Sequence, residues 1–88
     1  MNDSASTHTT GGYSLEVLSE ITGISRQSIV QYHEHGLIPA SADDDTIRHL
    51  RRMEHLRESY DMNLGSVKLI DMLLDQLEEL RAELRARR

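Results

Sequence analysis

GISRQSIVQYHEHGLIP, residues 23–39, is the stretch that decides the fold. Two glycines bracket it, Gly23 and Gly36, each placed where a helix ends in a left-handed residue, a conformation that glycine adopts without a Cβ clash. Between them Ser25 is suited to cap a helix from Arg26 to His35. Ile24 is expected to pack back onto the first turn, and Leu37, Ile38 and Pro39 to leave in extended form. Working back toward the N-terminus, Ser14 is the matching cap of a short helix over Leu15–Thr22, with Leu15, Leu18 and Ile21 as its apolar stripe. Two short helices joined by a tight glycine-containing turn make a helix-turn-helix pattern, which occupies residues 13–39.

Working forward, ASADDDT (40–46) is the second break. Asp45 or a neighbour caps a third helix near Thr46–Tyr60, because carboxylates suit the positive end of a helix dipole. Ile47, Leu50, Met53, Leu56 and Tyr60 form its apolar face, and Arg48, Arg51, Arg52 and Arg57 fall mostly on other faces. Residues 40–63 are thus an acidic turn and an Arg-rich helix, ended by the connector Asp61-Met62-Asn63. From Leu64 to near residue 88 runs a last helix in which Ile70, Leu73, Leu77, Leu80 and Leu84 step by three and four, an a/d heptad seam. Leu69 and Leu74 lie beside it. A helix of about 25 residues spans roughly 37 Å, more than a small core covers. The first half of the seam is therefore expected on the third helix, and Leu77, Leu80 and Leu84 on a second copy. Arg81, Arg85, Arg87 and Arg88 would repel one another in a parallel pair, so the expected homodimer is antiparallel. The fold class is all-α: a helix-turn-helix, then a two-helix hairpin with a long coiled-coil-type C-terminal helix, in one domain.

The chain has 88 residues, no Trp, no Phe and three Tyr, so its one small core is built from Leu, Ile, Val and Met. Residues 1–12, MNDSASTHTTGG, read as a disordered leader with no apolar signal-peptide core. With no apolar run of membrane-spanning length and no Cys, a reducing cytoplasmic compartment is the expectation. The net charge of −5 is uneven. Residues 1–45 hold seven acids against Arg26 alone, whereas residues 46–88 hold eight acids and nine bases.

No chemistry-bearing constellation emerges. There is no nucleophile elbow and no glycine-rich phosphate loop, so no enzyme and no cofactor are expected. His33 and His35 are two apart on a helix, and His49 and His55 six apart, so neither pair converges and no metal site is expected. The histidines read as solvated or dipole-stabilised, His35 in a last helical turn above all.

Residues 13–38 resemble the MerR family in the Gly-hydrophobic-Ser turn, the central Tyr32 and the Gly-Leu-Ile-Pro exit. Residues 43–88 resemble one offshoot more closely, the CbpM-type chaperone modulators. The resemblance lies in the acidic turn Asp43-Asp44-Asp45, the run IRHLRRMEHLRESYDMNLGSV with its Met62-Asn63-Leu64-Gly65 turn, and the closing LIDMLLDQLEELRAELRARR. It implies a small cytoplasmic protein that binds and inhibits the J-domain of a DnaJ-like (CbpA-type) co-chaperone, on a surface that a DnaK-type chaperone needs. It departs from the modulators in lacking an aromatic before the acidic turn. It departs from MerR regulators in the short gap from Pro39 to Thr46, which leaves no room for a wing hairpin, and in Val30 where those regulators carry an Arg. No ligand-sensing domain follows the coiled coil.

Two functions compete on electrostatics. As a minimal MerR-type transcriptional regulator the chain would read DNA with Arg26 and Gln27, and Tyr32, Arg48, Arg51 and Arg52 would approach the phosphates. Phosphate neutralisation needs Lys and Arg, of which residues 1–45 hold Arg26 alone. The alternative for the arginines is a solvated helix face, partly paired with Glu54 and Glu58. Tyr32 reads slightly better as a packing residue. As a J-domain binder the acidic first half would complement a basic helix, through Arg26, Gln27, Gln31 and Glu34 of the second helix and Asp43, Asp44 and Asp45. The three aspartates equally suit simple capping of the third helix.

Overall fold

The structure, a computed structural model, describes residues 12–87. Most of the expected leader, residues 1–11, lies outside them. Four helices are present: α1 (Leu15–Thr22), α2 (Arg26–Glu34), α3 (Asp44–Tyr60) and α4 (Leu64–Ala86). The described residues contain no strand, only an isolated antiparallel bridge between Tyr13 and Ala42. The all-α class holds.

Local chemistry sets each boundary. Ser14, Ser25, Asp43 and Asn63 cap the four N-termini, each side chain accepting from the backbone N–H three residues on. At α3 the cap is a reciprocal box, with Thr46 Oγ1 accepting from the Asp43 N–H. Gly23 ends α1 at φ 78°. Gly36, at φ 72°, ends α2 in a paired motif: its N–H donates to His33 O, and the Leu37 N–H to Tyr32 O. Asp61, which ends α3 at φ 54°, is the one non-glycine with positive φ among the described residues.

The core joins α1 (Leu18), the turn (Ile24), α2 (Ile29, Tyr32), the connecting segment (Ile38, Ala42) and α3 (Ile47, Leu50, Met53, Leu56). Of α4 only Val67 is fully buried within it, with Leu64 and Ile70 packed alongside. The molecule is therefore elongated, 50 × 34 × 19 Å. Two expected apolar positions lie outside the core. Ile21 is exposed because two turns of helix bring only Leu18 fully inward, and Tyr60 is exposed beside His55.

The heptad seam departs most from expectation. Ile70 packs partly on the core, but Leu73 is 51 % exposed and Leu77, Leu80 and Leu84 are exposed as well. The face that α4 turns to α3 carries instead Val67, Asp71, Leu74 and Asp75. The rotation is set by α3, whose Arg48, His49 and Arg52 require carboxylates opposite them.

Candidate functional site

Between α3 and α4 lies a network of ions. Arg52 is mostly buried, and its Nη2 sits 2.7 Å from both Asp71 Oδ1 and Asp75 Oδ1, with Nε 2.9 Å from Asp71. Arg48 pairs with Asp45 at 2.8 Å and with Glu78 at 3.2 Å. His49 Nδ1 lies 2.9 Å from Asp71, and its Nε2 3.4 Å from both Asp45 and Asp75. Asp71 is buried, and a buried carboxylate persists only with counter-cations and donors around it. Burial pushes the Asp75 carboxyl up, but the hydrogen bond from Arg52 and the charges of His49, Arg52 and Arg48 hold it below its usual value. For Arg52 burial opposes the charged form, and its bonds to Asp75 and Asp71 more than offset that.

This arrangement corrects two sequence expectations. The arginines of α3 do not pair with Glu54 and Glu58; their partners come mostly from α4. His49 is not solvated but sits in the network. Its ring and the carboxylates of Asp71 and Asp75 offer three ligand atoms within 4.8 Å of one another. The Arg52 guanidinium already bonds both aspartates, so a divalent ion would have to displace it. The triad is explained by the ion network.

Two further arginines are tied down differently. Arg51 donates to the Ile21 carbonyl at 3.1 Å, satisfying the end of α1. The Arg57 guanidinium lies 5.6 Å from the centre of the Tyr32 ring. Tyr32 is buried and its hydroxyl donates to Glu54 at 2.7 Å; burial, then this bond, pushes its phenol well up.

The acidic turn is both structural and exposed. Asp43 is the α3 cap, its carboxyl lowered first by the Thr46 backbone N–H. Asp44 accepts from the Tyr13 hydroxyl, and Asp45 pairs with Arg48. All three remain exposed, as do Arg26, Gln27, Gln31 and Glu34 of α2. Arg26 lies 3.9 Å from Glu16. A third surface is the α4 stripe of Leu69, Met72, Leu73, Leu77, Leu80 and Leu84, each 43–65 % exposed.

Sequence reasoning missed Asp71, Asp75 and Glu78, and the part His49 plays. A signal existed: acids at i, i+4 and i+7 on one helix opposite bases at i, i+1 and i+4 on its hairpin neighbour. No family model, no curated protein and no solved structure matches this chain.

Proposed function

We propose that the chain is a CbpM-type chaperone modulator that occupies the J-domain of a DnaJ-like co-chaperone and so competes with a DnaK-type chaperone. In this reading a MerR-like helix-turn-helix, made of α1 and α2, is a scaffold for protein binding, and the molecule works in the cytoplasm. The observation that carries the reading is the disposition of charge. Arg48 and Arg52 are held by α4 carboxylates, Arg51 is engaged with the Ile21 carbonyl, and Tyr32 is buried. Of the groups a DNA-binding regulator would use, only Arg26 and Gln27 remain on the α2 surface, beside Glu34. Phosphate contacts dominate DNA affinity, and this face supplies one cation. A basic J-domain helix would find favourable charge in the exposed carboxylates of Glu34, Asp43, Asp44 and Asp45. The exposed leucines of α4 support a homodimer, antiparallel because Arg81, Arg85 and Arg87 crowd one end of the helix.

The test is capture from nuclease-treated native lysate on the tagged chain at moderate salt. A J-domain co-chaperone retained in stoichiometric amount is expected. Its absence, together with recovery of DNA fragments when nuclease is omitted, returns the chain to the regulator class.

A further inference from the structure

An apolar cavity of about 210 Å³ opens between α1, α2 and the segment that leads to α3. Leu15, Leu18, Ile29 and Ile38 line its floor, and Val30, Ala40 and the exposed His33 its mouth. The mouth is open to solvent, since Val30 is 38 % exposed and Ala40 is exposed. A cavity of about 150 Å³ admits a benzene ring, so this one admits a leucine, methionine or phenylalanine side chain.

One side of its rim is acidic. Tyr13 lines the cavity and its hydroxyl bonds Asp44, while Ala42, also in the lining, leads directly into Asp43. Among the described residues Asp43 and Asp44 have no cationic partner, whereas Asp45 does. An apolar socket flanked on one side by uncompensated carboxylates selects a segment that is apolar at one point and cationic beside it. A free apolar molecule gains nothing from the carboxylates, and nucleic acid is repelled by them.

We propose that this cavity is an anchor pocket, taking one leucine-, methionine- or phenylalanine-sized side chain of a basic protein helix whose cations lie over Asp43 and Asp44. The proposal rests on the protein-partner reading above and adds where that partner is gripped. Interfaces concentrate their affinity in such desolvated anchors, and the surrounding charge governs encounter and salt dependence.

The test uses the full chain and three 16-residue amphipathic helical peptides: one Lys/Arg-rich with a single central Phe, one with Ala in its place, and one with Glu replacing the cations. The Phe peptide is expected to bind about tenfold tighter than the Ala peptide and to shift the methyl resonances of Leu15, Val30 and Ile38. Ala40→Trp, which plugs the mouth, brings that ratio close to one while both cationic peptides keep their salt dependence. Val30→Thr, nearly isosteric but polar, lowers the ratio several-fold and guards against a misfolded Trp variant. A ratio untouched by either substitution overturns the anchor pocket. So do shifts confined to Leu73–Leu84, or a change of oligomeric state in Ala40→Trp, which would make α4 of a second copy the occupant. Equal binding of the Glu peptide and the cationic ones would instead sink the partner reading beneath it.

Discussion

The two halves of α4 carry one leucine repeat and stand in opposite surroundings. From Leu64 to Glu78 the helix lies on α3, seated by Val67 in the core and by Asp71, Asp75 and Glu78 on the α3 bases. From Glu79 to Arg87 every residue is exposed. Leu69, Leu73 and Leu77 of the first half and Leu80 and Leu84 of the second all face outward. The contrast teaches that an apolar repeat defines a face of a helix but does not choose its neighbour. Here the choice is made by carboxylates spaced to meet Arg48, His49 and Arg52.

The sharpest way to break the contrast is to compare one substitution on each face. Asp71→Ala removes the buried partner of Arg52 and His49, and should cost about 3 kcal/mol, the low end for breaking a buried pair, because Asp75 and Glu78 still hold Arg52. Leu77→Ala, on the exposed face, should stay within about 0.5 kcal/mol at concentrations where the chain is monomeric. Urea unfolding followed by circular dichroism measures both, and equal losses would remove the distinction between the faces.

Next in size is the effect on self-association. Leu77→Glu places a charge in the middle of the stripe, so sedimentation velocity across a concentration series should show a dimer for the wild-type chain and a monomer for the variant, with little change in monomer stability. A wild-type chain monomeric to high micromolar concentration contradicts the dimer.

Acid should loosen α3 smoothly. Asp43 and Asp75 titrate below their usual range, so the unfolded chain binds more protons as the pH falls. Their contribution is fully present above about pH 5 and is lost as the pH drops through about 4 toward the folded values. Urea midpoints at pH 7, 5 and 3.5 at constant salt should fall only in the last step. The smallest expected effect is a gain: Asp61→Gly relieves a left-handed non-glycine residue at the end of α3 and should add about 0.5 kcal/mol.

What was legible in the sequence was whatever is decided within a few residues. Ser14, Gly23, Ser25 and Gly36 set α1 and α2, because caps and left-handed terminators act on the adjacent turn. The Asp61-Met62-Asn63 connector was equally plain. What was not legible was the rotation of α4 about its own axis, because that depends on Arg52 meeting Asp71 across 19 residues of sequence. The same blind spot hid His49. Its nearest partner, Asp71, lies on another helix, 22 residues away in sequence. The acidic turn is intermediate: the capping role of Asp43 was open to inspection, and the Tyr13–Asp44 bond, 31 residues apart, was not.

The most direct test of the central claim, that the arginines are engaged internally and leave an acidic protein-binding face, is a paired titration. Fluorescence anisotropy would follow the full chain binding a labelled J-domain of a DnaJ-like co-chaperone and, separately, a labelled mixed-sequence DNA duplex, each at two salt concentrations. Saturable J-domain binding that weakens with salt, beside DNA binding too weak to saturate, is the predicted result. Tight, strongly salt-dependent duplex binding with no J-domain signal would contradict it.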